Sequence, residues 1–279
     1  MKCQKNRLVP FLIILACTSF GSWFYTTANS PIQTIHSFNE VDFDAIDTDT
    51  LVLFDVDETL VQPIDTAFTK NWAKRDNFQK KLIAEHPEIK NWDIYMSIAV
   101  TDIPRPLLEP MIIDTIAKLQ NRGVAVIACT AMETGKYATI EKLEAWRYNH
   151  LASLGFHGSF ANIMVNLPTK ARNPVFYKGV LVTDSELKGP IVFSFLDYIH
   201  RTPKKIILFD DYMPQLKSIE QACKENNISF QGYHYEGAIE KPWDDELIQF
   251  QAEYLLKNKQ WLPDADARVL MQQQPEIAY

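Results

Sequence analysis

Asp55 and Asp57 stand one residue apart where the apolar run LVLF (51–54) ends, with Glu58 and Thr59 behind them before the chain returns to Leu60 and Val61. A second acidic pair, Asp210 and Asp211, follows the apolar run IILF (206–209). Carboxylates gathered without histidine or cysteine suit a hard cation such as Mg2+, which prefers carboxylate, carbonyl and water oxygens. Packed together without a cation they would repel one another. Asp55, Asp57 and Asp210 make the expected metal set, with Asp211 as an outer or alternative ligand. Thr130, which closes VAVIACT (124–130), adds a hydroxyl and neighbouring amides. Lys188 stands at a predicted helix start, where a cation and exposed N–H groups together form an anion site. Metal, carboxylate nucleophile, hydroxyl and lysine are the parts of a phosphoryl-transfer site: charge at phosphorus must be neutralised and the carboxylate held in line with it. Lys178 is a rival for the lysine position, whereas Lys204 and Lys205 precede a strand and so fall at its opposite end.

For these groups to meet, the runs that precede them must be strands of one sheet. Leu51–Phe54, Val124–Ala128 and Ile206–Phe209 are continuous apolar runs, the pattern of strands buried on both faces. Helical spacing separates them: residues 111–119, a helix near 137–154, another from about Gly189 carrying Ile191, Val192, Phe195, Leu196 and Ile199, and one at 213–225 before a strand near 228–233. Residues 175–182 read as a hairpin turning at Lys178-Gly179. Alternating strands and helices with right-handed crossovers predict a doubly wound, Rossmann-like parallel sheet. Ligands bind such sheets beyond the carboxyl ends of the strands, so Asp55, Thr130 and Asp210 are expected at one crevice. Residues 62–106 interrupt the rhythm and predict a small helical insertion. Its Trp72, Trp92 and Tyr95 either line a substrate pocket or form the insertion's own core. A helix near 244–256 and a polar tail complete the chain, and residues 29–50 read as an extended approach.

The sequence DVDET (55–59) after LVLF resembles the first motif, D-x-D-x-T, of the haloacid dehalogenase superfamily. Thr130 resembles its second motif, Lys188 its third, and Asp210-Asp211 its fourth, in the same order over roughly residues 50–235. LKGPIVFSFLDYI and the stretch from KKIILFDDYMPQ to YHYEGA further resemble a bacterial branch of secreted proteins of that superfamily. The resemblance implies that Asp55 attacks phosphorus to form an aspartyl-phosphate. It implies that Asp57 is the acid for the leaving alcohol and the base for the hydrolytic water, with its backbone carbonyl on the metal. It also implies a cap over the site, at 62–106. Met132 departs from the polar or basic residue of many relatives, which removes a substrate contact but not the core chemistry.

Before the domain, Lys2, Lys5 and Arg7 precede the apolar stretch Leu8–Cys17, and Thr26-Thr27-Ala28 offers small residues for cleavage. This predicts a secretory signal peptide over 1–28 and an exported, periplasmic or secreted protein occupying 29–279. An uncleaved anchor or a lipid on Cys17 is the alternative, and either would be the protein's route to a membrane. Cleavage after Ala28 removes three positive charges and no acid, taking the net charge from −7 to −10. With 28 Lys and Arg against 35 Asp and Glu, no basic face is expected to meet nucleic acid. Cys129 and Cys223 fall in apolar segments and predict buried thiols, not a disulfide or metal site. The six histidines do not cluster.

These readings predict a Mg2+-dependent phosphatase acting on a small phosphorylated substrate. The alternatives are a catalytically silent binding module on the same fold, such as a secreted effector, and transfer of the phosphoryl group to an acceptor alcohol in place of water.

Overall fold

The computed structural model describes residues 31–70 and 72–273; the predicted leader lies outside them. The apolar runs become strands and the amphipathic stretches become helices. In chain order these are β1 (Ile32–Ile35), β2 (Thr50–Phe54), α1 (Trp72–Glu85), α2 (Trp92–Asp102), α3 (Ile112–Asn121), β3 (Ala125–Thr130) and α4 (Leu143–Ser153). They continue with β4 (Met164–Asn166), β5 (Val175–Tyr177), β6 (Val180–Val182), α5 (Lys188–Tyr198), β7 (Lys205–Asp210), α6 (Met213–Glu225), β8 (Ser229–Tyr235), α7 (Asp245–Asn258) and α8 (Asp264–Gln273).

Among the described residues the strands form one eight-stranded sheet of order β1-β8-β7-β2-β3-β6-β5-β4. The neighbours from β1 to β6 in that order run parallel, and the β4–β5 and β5–β6 pairs antiparallel. Successive residues of each central strand enter opposite faces, and both faces are buried. Val52, Phe54, Val126, Ala128, Ile207 and Phe209 pack with Ile112, Ile116 and Leu119 of α3 and Leu151 of α4. Leu51, Leu53, Ile127, Ile206 and Leu208 pack with Ile191, Val192 and Phe195 of α5 and Leu216 and Ile219 of α6. Burial on both sides is why these strands carry no polar alternation.

β2 lies between β3 and β7. The chain first builds outward from β2 to β3 and β6, then returns through α5 to build β7 and β8 on the other side. The order therefore reverses at β2 and β7, where such sheets open a crevice beyond the strand ends.

The hairpin turns as expected: Lys178 and Gly179 both have positive φ, +51° and +93°, the backbone of a tight two-residue turn. Elsewhere the structure departs from the sequence reading. α4 begins at Leu143, because residues 131–142 form a loop held by hydrogen bonds from Tyr137 N to Ile140 O and from Leu143 N to Gly135 O. The approach contains β1, an edge strand paired with β8. β4 joins the antiparallel edge, and the polar tail contains α8.

The insertion is helical, α1 and α2, and is fastened to the chain's last helices. Ala67, Ala99 and Ile103 pack with Ile248, Leu255 and Trp261. Asp65 accepts hydrogen bonds from Trp261 Nε1 at 2.8 Å and Asp264 N at 3.0 Å. Asp264 in turn accepts from Thr66 N and Oγ1. Trp92 and Tyr95 join Phe68, Phe78, Trp243 and Trp261 around a small apolar cavity of about 60 Å3. Those aromatics serve a core that the insertion shares with α7; the side chain of Trp72 lies outside the described residues.

Candidate functional site

The end of β2 is tied to its neighbour by a hydrogen bond from Asp55 N to Phe209 O at 2.8 Å. This places Asp55 beside Asp210, the last residue of β7. Behind Asp55 the chain turns back sharply. Leu60 N and Val61 N both donate to Val56 O, and Glu58 N donates to Val61 O. Glu58 has φ +64°. Val56, Leu60 and Val61 return to the core through this turn, so the apolar residues after DVDE are required by the loop. Thr59 Oγ1 accepts the N–H of Asp211 at 3.1 Å, joining the two acidic loops.

Asp55, Asp210 and Asp211 each present a carboxylate oxygen within 4.8 Å of the others. Lys188, fully buried at the first turn of α5, reaches between two of them. Its Nζ lies 2.5 Å from Asp55 Oδ1 and 2.6 Å from Asp210 Oδ2. Two contacts position this lysine. Its own N–H donates to Gln215 Oε1 of α6 at 2.8 Å. Next to it, Gly189 lets α5 approach α6 so closely that a Cβ would sit 2.4 Å from Ser218 O. Asp210 Oδ1 accepts the N–H of Tyr212, and Asp211 pairs with Lys70 of the insertion at 2.7 Å. Asp55 Oδ2 takes no hydrogen bond from a described residue.

Burial dominates the electrostatics. It pushes the Asp55 carboxyl well above the ordinary range; Lys188 pulls it back, while Asp210 and Asp211 push further. Asp210 is raised in the same way, mainly by burial and against the pull of Lys188. Burial alone would favour loss of the Lys188 proton, but Asp210 and Asp55 outweigh it and hold the ammonium well above an ordinary lysine. Glu58 is raised to about 7, first by burial and then by Asp211 and Asp57 against the opposing pull of Lys70. Burial pushes the Cys129 thiol up to about 12, so it is an inert core group.

The structure thus brings Asp55, Lys188, Asp210 and Asp211 together. Thr130 lies at the same sheet edge at the end of β3, buried, with its hydroxyl accepting the N–H of Met132 at 3.3 Å. The Asp57 carboxylate stands apart from the three-carboxylate group. Both its oxygens meet Arg147 Nη2 of α4, at 2.9 and 2.7 Å. The rival lysines are elsewhere: Lys178 lies over the rings of Tyr148 and Tyr177, and Lys204 pairs with Asp49 before β2. Sequence reasoning missed Arg147, Lys70 and Gln215. Arg147 left one trace, since it falls on the same helical face as Leu143 and Leu151, where an apolar residue is expected.

An oxygen-only donor set with a buried ammonium beside it can hold a divalent cation and a tetrahedral anion together. The three carboxylates fit Mg2+ in chemistry.

The chain is similar over 234 residues to an uncharacterized protein of Rickettsia prowazekii, with 27% identity covering 81% of this chain and 84% of that one. A Chlamydia pneumoniae protein named as a candidate outer membrane protein is 23% identical over 95% of this chain and 97% of its own length. A Chlamydia trachomatis protein of the same name is 26% identical over 75% and 78%. No solved structure matches. Among the described residues no helix is long and apolar enough to cross a membrane. Residues 33–268 match the family described as "Protein of unknown function (DUF2608)", and the chain belongs to that family.

Proposed function

We propose that the protein is a Mg2+-dependent phosphatase that hydrolyses a small phosphomonoester through an aspartyl-phosphate on Asp55, on a haloacid-dehalogenase-like fold capped by the 62–106 insertion. The observation that carries this reading is the convergence of Asp55, Asp210, Asp211 and buried Lys188 at the reversal point of the sheet. Asp55, Asp210 and Asp211, with the backbone carbonyl of Asp57, would hold the cation, whose charge offsets that of the phosphoryl oxygens. Lys188 would neutralise a further phosphoryl oxygen, and Thr130 would offer a hydroxyl from the same edge.

In the first step the Asp55 oxygen bonds to phosphorus as the bond to the alcohol oxygen breaks, and Asp57 gives that oxygen its proton. In the second, water attacks phosphorus, Asp57 takes the water's proton, and the carboxylate of Asp55 is released with inorganic phosphate. The chlamydial relatives' names and the leader support export to the cell envelope. The substrate is a phosphorylated small molecule, not a nucleic acid.

The test is phosphate release from a panel of phosphorylated metabolites, nucleotides and lipids with Mg2+. EDTA is expected to abolish it, and Asp55→Asn to lower it by roughly 10³ or more. Beryllofluoride with Mg2+ should mimic the phosphoryl group on Asp55 and raise the melting temperature by about 5–10 °C in wild type but not in Asp55→Asn. A protein that binds Mg2+ yet shows neither turnover nor this shift is a binding module on the same fold.

A further inference from the structure

The inward face of α4 buries Leu143, Glu144, Arg147 and Leu151, so two charged residues occupy a face that packing would fill with apolar ones. Glu144 has a local reason: it accepts the N–H of Gly135 at 2.9 Å. Arg147 instead reaches the loop after β2, where one nitrogen, Nη2, spans both oxygens of Asp57. Its guanidinium lies 4.9 Å from the centre of the Trp146 ring, which restrains its plane. Its side chain is 4% exposed, while that of Asp57 is 43% exposed. Arg147 therefore stands behind Asp57, not in the cleft.

As a purely stabilising element this arrangement is poor. Nε and Nη1 of Arg147 are buried with no hydrogen-bond partner among the described residues. A second guanidinium, that of Arg105 at the end of the insertion, lies 5.6 Å from the centre of the same ring. Arg105 Nη1 donates to the carbonyls of Val100 and Ile103, and Asp57 and Asp65 act on its charge without forming an ion pair with it. A buried cation with idle donors and a like-charged neighbour costs free energy. What the arrangement secures is the position of one carboxylate.

We propose that Arg147 is the positioning residue that holds Asp57 as the proton acceptor for the attacking water. This inference rests on the phosphatase reading. Both Asp57 oxygens accept from Nη2, so the place and orientation of the carboxylate are fixed. The O–H bond of the attacking water breaks, its oxygen bonds to phosphorus, the Asp55 oxygen–phosphorus bond breaks, and the proton goes to Asp57. Arg147 touches neither water nor substrate. It fixes where the accepting oxygen stands, and a displaced base slows proton transfer without weakening substrate binding.

The experiment uses para-nitrophenyl phosphate and Mg2+ with the full chain. Its good leaving group lets Asp55 be phosphorylated with little help from an acid, so a defect in the second step becomes visible. Arg147→Met is expected to give a burst of about one nitrophenol per protein, then steady turnover on the order of 10²-fold slower than wild type with little change in KM. Arg147→Lys, which keeps the charge, should recover part of that loss. The double variant Asp57→Asn/Arg147→Met should turn over no more slowly than Asp57→Asn alone, because Arg147 acts through Asp57. Melting temperatures confirm that each variant is folded. A folded Arg147→Met whose burst and steady rate fall together, or a double variant with additive losses, overturns the inference and leaves the phosphatase reading standing. A wild type that turns over no phosphomonoester overturns both.

Discussion

Asp55 and Asp65 are both buried aspartates within the first turns after β2, and burial raises the carboxyl of each. Their surroundings differ. Asp65 joins the insertion to the end of the chain, and its oxygens meet the neutral donors Trp261 Nε1 and Asp264 N. Each oxygen has a partner and the group performs a structural task. Asp55 has a charged partner, Lys188, which it shares with Asp210, and Asp211 adds a third carboxylate nearby. Lys188 lies between two of these carboxylates and Lys70 pairs with the third, so three acidic groups share two ammonium groups where the sheet opens. A buried carboxylate alone therefore marks nothing. Crowding of like charges beyond what folding needs is what distinguishes a candidate site.

The largest effect that tests this contrast comes from Lys188→Met. It leaves Asp55 and Asp210 buried beside each other without their cation, and the expected loss of stability is about 3–5 kcal/mol, read from urea unfolding without metal. Turnover should vanish with it. A loss below about 1 kcal/mol would show that the carboxylates do not depend on this ammonium.

At Asp65 a smaller loss is expected. Asp65→Ala strands Trp261 Nε1–H and Asp264 N–H, at about 1–3 kcal/mol. Because this clasp is structural, turnover measured well below the melting temperature should change by no more than about twofold, the reverse of the Lys188 result in its ratio of activity to stability. A large loss of turnover in a folded Asp65→Ala would show that the clasp also sets the geometry of the cleft.

The smallest effect is at Glu58, buried with Oε2 lacking a partner among the described residues. Its carboxyl is raised from 4.5 to about 7. Between those values the folded chain binds more protons than the unfolded one, so its contribution makes stability fall as pH rises through that window. In EDTA, Glu58→Gln should flatten the dependence of melting temperature on pH across it and melt above wild type near pH 8. Parallel curves for the two proteins would place the titration elsewhere.

The sheet was legible because strands buried on both faces have to be continuous apolar runs, and LVLF, VAVIA and IILF admit little else in a chain where they alternate with helical spacing. Once those runs share a sheet, Asp55, Thr130 and Asp210 fall at one edge by strand direction alone. Lys188 was legible as the residue opening the helix that leads into β7. The sheet's edges were less so. β1 and β4 are short strands held by a single neighbour, and such strands carry too few residues for a pattern. The start of α4 was misplaced by six residues, since the hydrogen bonds that hold 131–142 as a loop are not written in its periodicity.

The sequence by itself brought Asp55, Thr130 and Asp210 to one sheet edge, because pleat and strand direction follow from local pattern. But it grouped the Asp57 carboxylate with them and left Lys178 as a rival to Lys188. Only the tertiary structure decided their partners. Arg147 reaches Asp57 across 90 positions of chain, Lys70 reaches Asp211 from the insertion, and Trp261 closes on Asp65 from near the end of the chain. Local spacing sets the face on which a side chain emerges. Which group it meets there depends on how helices and loops distant in sequence are packed against the sheet, and that is settled by burial of the whole core.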